Sequence, residues 1–245
     1  MAVAFSLILG WRLAVVITLA LEVNGLGHFW AAKNNNIVIQ GNFVPYLGRF
    51  GFIRQRADTR EANLVIALMG PLFGFVVTSV VFLIFCSTRS NEVGAVAMFL
   101  AVLQLFNLLP IDPLDGGRFV NELIIALRPE WYNKVFAADK ILAGLIAIAL
   151  VVLVMSSLIT EHDVGFFENA IRALEIGIAL SLISSSLNKD RFNASYGGVS
   201  GKIDGNKIAI YAASYLLMVA TFAVFALATI FNPEVAEAFM GMASI

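Results

Sequence analysis

Long uninterrupted apolar runs decide the solvent in which this chain folds. A run of about 20 residues crosses a hydrocarbon core about 30 Å thick, and six runs of that kind occur: Phe5–Trp30, Leu64–Cys86, Val93–Leu109, Ile141–Ile159, Ile171–Leu187 and Ile208–Phe231. A bilayer offers no water to unpaired backbone groups, so only helices and closed barrels span it, and runs of this length select helices. Composition points the same way, with 60% hydrophobic residues, 13% charged residues and a mean hydropathy of +0.86. The expected fold is an all-α transmembrane bundle of about six membrane-spanning helices, a single integral membrane domain over 1–245. The fifth run carries Arg172 and Glu175 in its first turns, which leaves an interfacial helix as the alternative there.

Basic residues test that count, because Lys and Arg accumulate in cytoplasmic loops. Six spans gather the stretches 33–63, 110–140 and 188–207 on one side, and all but three of the 16 basic residues lie there. The exceptions are Arg12, Arg89 and Arg172. The expected topology is multi-pass, with basic loops cytoplasmic and both termini outside. The first run has no positively charged leader and is longer than a signal-peptide core, so it is expected to stay as a helix. The cluster from Arg49 to Arg60 suits an anionic lipid surface. A formal net charge of -1 argues against nucleic-acid binding, which draws on a basic face to displace phosphate counterions. One cysteine, Cys86, cannot close an internal disulfide, and two histidines, His28 and His162, cannot hold zinc without carboxylates.

Polar side chains inside spans are costly and mark function by default. The first run carries Glu22, Asn24 and His28. Asn24 and His28, four apart, share a helix face at the spacing by which HExxH holds zinc. Gly25 stands where that motif has its glutamate, and it has no side chain with which to take a proton. Glu22 projects about 120° away from His28 and about 9 Å along the axis, which argues against it as a base. The stretch NLLPIDPLDGGR, residues 107–118, ends the third run with two prolines, so the helix breaks at or near membrane depth. Non-helical backbone survives there only against protein or a watery cavity. Gly116 and Gly117 allow close backbone approach beside Asp115.

Asn107-x-x-Pro110-x-x-x-Leu114-Asp115-Gly116-Gly117, preceded by GLGHFWAA in the first run and ALMGPLFGF over 67–75, resembles the site-2 protease family of intramembrane zinc metalloproteases. The resemblance covers roughly residues 15–130, leaving 131–245 as C-terminal membrane helices matched only in general character. It implies a zinc site of two histidines and one aspartate, with a glutamate that activates water to cleave a substrate's transmembrane helix. Residue by residue, His28 matches the second histidine, Asp115 the aspartate ligand, and Asn107 a residue near the catalytic centre. Asn24 stands at the first histidine and Gly25 at the glutamate, so two key positions depart.

The residues 37–53, IVIQGNFVPYLGRFGFI, are rich in β-branched and aromatic types with Gly and Pro punctuation, which predicts a short β-like or re-entrant segment after the first helix. The resemblance implies membrane-associated strands there, with Val44, Pro45, Tyr46 and Leu47 able to take an unwound peptide by strand addition. Three readings follow. The first is a proteolytically inactive relative that binds transmembrane segments of other membrane proteins, with zinc weak or absent. The second is an active intramembrane zinc metalloprotease with atypical ligands. The third is a transporter using Glu22, His28 and Asp115 as a polar path.

Plainer roles exist for single residues. His28 alone would serve as an interfacial or hydrogen-bonded histidine. Gly70, Pro71 and Gly74 are expected to be helix-packing positions. Asp112 is expected to be a solvated loop charge, and His162, between Glu161 and Asp163, a solvated cap.

Overall fold

The computed structural model describes residues 11–35, 37, 57, 59–112, 114–160, 201 and 203–243. Among these the secondary structure is helical: α1 (Trp11–Asn34), α2 (Arg60–Thr88), α3 (Asn91–Asn107), α4 (Asp115–Leu127), a 3-10 turn at Pro129–Trp131, α5 (Tyr132–Thr160), α6 (Gly205–Ile230) and α7 (Pro233–Ala243). The expected β-like segment with Val44, Pro45, Tyr46 and Leu47 lies, apart from Ile37, outside the described residues. So does the fifth apolar run.

Among the described residues, three helices are long and apolar enough to cross a membrane, over Ala14–Asn34, Arg60–Thr88 and Gly205–Ile230. This is fewer than the six expected, in part because the fifth apolar run and most side chains of α5 beyond Ala149 lie outside the described residues. Helix α3 is apolar but has 17 residues, about 26 Å at 1.5 Å per residue, because the chain must leave the helix before Pro110. The fourth run sits inside the 29-residue α5. Outward-facing apolar side chains, among them Leu19, Leu83, Ile141, Leu145, Leu216 and Phe231, are 59% or more exposed. A surface of that kind belongs in lipid.

Start and stop signals act locally. The Thr59 hydroxyl accepts from the Ala62 N–H at the start of α2, and Ser90 does the same for Val93 at α3. Arg89, with φ 53°, reverses the chain between them in the left-handed region. Helices α1 and α2 cross closely, since a Cβ on Gly27 would overlap the Met69 carbonyl. This is the small-residue contact by which membrane helices gain packing. The main core joins α2, α3, α4 and α6 through Leu64, Leu68, Ala101, Phe119, Met218 and Phe222.

Helix α4 carries three of the eight buried polar residues among those described, Asp115, Asn121 and Glu122. Glu122, 3% exposed, accepts from Arg60 at 2.9 Å and from Asn63 at 3.0 Å, tying α4 to the start of α2. Asp139 of α5 accepts from the Asp112 backbone N–H at 2.8 Å and from Asn121 at 3.2 Å. Asp112 is therefore not the solvated charge expected; it is 6% exposed, because α5 packs over the break between α3 and α4.

Asp139 lies just before the apolar run of α5. Burial pushes its carboxyl up from 3.8 to about 6, against the opposing pull of the Asp112 N–H and the Asn121 amide, with the Asp112 charge adding to the rise. The folded state thus holds this proton more tightly than the unfolded chain does. Stability at low pH is lost as pH rises from about 4 to about 6, and the loss amounts to about 3 kcal/mol at full ionisation. Asp139→Asn keeps the accepting oxygen and removes the ionisation. Thermal unfolding in micelles at pH 5 and pH 7.5 should show the variant more stable at the higher pH and flatter across the interval. A variant with the same pH slope as the parent would contradict this.

Candidate functional site

Four elements bring one polar cluster together inside the bundle. Helix α1 contributes Asn24 and His28 on one face, α2 the Ile66 carbonyl and Gly70, α3 its last residue Asn107, and α4 its first residue Asp115. The His28 Nδ1 lies 2.7 Å from the Ile66 oxygen, and its Nε2 lies 2.9 Å from Asp115 Oδ2. Asn24 Nδ2 donates to Asp115 Oδ2 at 3.1 Å and sits 3.2 Å from His28 Nε2. Asn107 Nδ2 donates to the same carboxylate oxygen at 2.6 Å and reaches Asn24 Oδ1 at 3.4 Å. Side-chain exposure is 15% for His28 and 8% for Asp115.

The helix breaks after Asn107, as its prolines require, but Asp115, Gly116 and Gly117 form the first turn of α4 and not a loop. This placement suits a carboxylate, because a helix N-terminus exposes N–H groups and the positive end of the dipole. The N-cap Leu114 makes no side-chain cap. Asn107 supplies one from the other side of the break, its Oδ1 accepting from the Asp115 N–H at 3.4 Å. Close approach is enforced by glycine: a Cβ on Gly116 would overlap the Leu108 carbonyl, and one on Gly117 would overlap the Ile111–Asp112 peptide.

Hydrogen-bond chemistry assigns the protons. A carbonyl only accepts, so His28 Nδ1 carries hydrogen and Nε2 faces the cluster. Two lone pairs cannot face each other at 2.9 Å, so one proton lies between Nε2 and Asp115 Oδ2. The pair is then neutral overall, which suits a buried position in a membrane bundle. The Asn24 amide is oriented by the same logic, since turning it would set its oxygen against the carboxylate.

This donor set does not fit zinc. His28 holds the ligand posture in part, with Nδ1–H given to a backbone carbonyl and Nε2 turned into the cluster. Its partner oxygen, however, is at hydrogen-bond distance, shorter than the roughly 3.3 Å between two ligands of a tetrahedral zinc. The third neighbour is the Asn24 NH2, which has no lone pair to give. Among the described residues no group of three or more His, Cys, Asp or Glu side chains could hold a metal ion. Glu22 makes no hydrogen bond to the cluster among the described residues. Beside Gly25 there is open space, with nothing within 4 Å of where a Cβ would stand.

Asn24, His28, Asn107 and Asp115, singled out in the sequence, therefore meet in one place, and Gly25 lies beside them. Gly70 has a closer role than helix packing alone: a Cβ there would overlap the His28 ring and lie 2.9 Å from Asn24 Oδ1. Gly74 does pack, against Gln104. Sequence reasoning missed the Ile66 carbonyl, because any residue can present a backbone oxygen. It also missed Tyr215 of α6, whose hydroxyl donates to the Leu108 carbonyl. Nothing local marks one tyrosine among many apolar residues.

Comparison with known proteins gives a partial link. No family model matches the chain. Over 117 residues it is 26% identical to a zinc metalloprotease of Methanocaldococcus jannaschii, an overlap covering 46% of this chain and 34% of that protein. The chain thus spans about a third of the length of the curated relative it matches. No solved structure matches. The similarity is to a metalloprotease, in a chain with three helices able to cross a membrane.

Proposed function

We propose that this chain is a site-2-protease-like integral membrane protein that has given up proteolysis and holds transmembrane segments of other membrane proteins. The observation that carries this reading is the Asn24 amide, which donates to Asp115 and abuts His28 Nε2 where the family resemblance calls for a third ligand. Gly25 offers no proton acceptor beside it. A general base contributes roughly 10² to 10⁴ in rate, and its loss compounds with that of a zinc ligand. The similarity to a zinc metalloprotease supports descent of the scaffold. The basic stretches sit on the cytoplasmic side in this reading, with both termini outside. Segment binding would use Val44, Pro45, Tyr46 and Leu47, for which the sequence predicts strand addition.

The unaltered chain in nanodiscs tests this with single-span peptides carrying a photo-crosslinker. Expected are crosslinks to intact peptide, no cleavage and no stoichiometric zinc by metal analysis. One tightly held zinc with chelator-sensitive cleavage would make the chain an active enzyme instead. Ion flux into liposomes without crosslinking would favour a transporter.

A further inference from the structure

We infer that Tyr215 is the positioning residue of the polar cluster, clamping the two sides of the helix break so that Asn107 and Asp115 stay in register. The break strips the Leu108 carbonyl of its helical donor: the Asp112 N–H, four residues on, donates to Asp139 instead. Gly116 presses its backbone against that same carbonyl. In a lipid-facing bundle such an oxygen needs a partner, and the Tyr215 hydroxyl supplies it at 2.5 Å.

The ring of Tyr215 acts on the other side of the break. It stacks on Phe119, with centroids 4.9 Å apart and planes 14° apart. Phe119 is 1% exposed and lies one turn beyond Asp115 on α4. One side chain of α6 therefore grips the residue after Asn107 and the residue four after Asp115. Tyr211, a turn earlier on α6, bonds Glu61 at 3.2 Å beside Lys207. It anchors α6 to the start of α2 and does not touch the break, which makes it the internal control.

Two measurements separate positioning from general support. In the full chain, Tyr215→Phe keeps the stacked ring, so circular dichroism should show retained helix. The imidazole 15N resonances of His28, assigned against His162→Gln, should move in Tyr215→Phe and stay put in Tyr211→Phe. The second measurement rests on the proposed metal-site reading, in which the cluster descends from a zinc site. In the Asn24→His, Gly25→Glu background, Tyr215→Phe should weaken zinc binding roughly ten- to hundredfold, as loss of outer support does elsewhere, whereas Tyr211→Phe should not. His28 resonances unmoved by Tyr215→Phe, or moved equally by both variants, overturn the inference. If the doubly substituted chain binds no zinc at all, the metal-site reading fails and the resonances alone decide the role of Tyr215.

Discussion

The double substitution Asn24→His, Gly25→Glu is expected to turn this chain into a zinc protein that cleaves a membrane peptide. An imidazole at position 24 would replace the NH2 now donating to Asp115 Oδ2 with a lone pair, completing two histidines and a carboxylate. His28 is already oriented for the task by its Nδ1–H contact to Ile66 at 2.7 Å. A Cβ at position 25 meets nothing within 4 Å, so the backbone there accepts a side chain. Asn24→His alone should bind zinc without appreciable cleavage, and Gly25→Glu alone should do neither. With the base present, cleavage should exceed that of the Asn24→His variant by roughly 10² to 10⁴. Metal analysis and peptide cleavage in nanodiscs read both properties. A folded double variant that takes up no zinc would refute a metal-site origin for the cluster.

Gly117→Ala should have a large effect of the opposite kind. Its new Cβ would overlap the Ile111 carbonyl carbon and the Asp112 nitrogen, which are backbone atoms and cannot rotate aside as a side chain can. Overpacking costs about 1–3 kcal/mol and more where nothing yields, so about 3 kcal/mol is expected here. The break between Asn107 and Asp115 should open with it. Gly25→Ala, a few ångströms along the same site, meets nothing within 4 Å. It removes a helix-interior glycine and should be neutral or stabilising by roughly 0.5–1 kcal/mol. Unfolding titrations of the two variants side by side make the comparison, and equal stability would show that the tight contact at Gly117 is not a constraint.

The site was legible where its chemistry is carried by rare side chains in a sparse pattern. In an apolar chain, Asn24, His28, Asn107 and Asp115 stand out because each costs free energy to bury, and all four meet. Asp112 escaped that rule, since a carboxylate between Pro110 and Pro113 reads as a solvated loop charge until α5 is known to cover it. The span count was legible only in part. The third run, Val93–Leu109, was already ended by Pro110, and α3 has the same length, 17 residues; the helices that carry the fourth and fifth runs are described only in part or not at all.

Helices long and apolar enough to cross a membrane, the break after Asn107 and the lack of a side chain at Gly25 were determined by the amino-acid order itself. Each is a property of one segment in one solvent, so no distant contact is needed to decide it. Tertiary structure alone decided that the Asn24 amide is spent on Asp115, that the Ile66 carbonyl sets the His28 tautomer, and that Tyr215 reaches Leu108 from 107 residues away. Those outcomes depend on which helices cross and at what depth, and crossing is set by shape complementarity between faces whose residues say nothing individually about their partners.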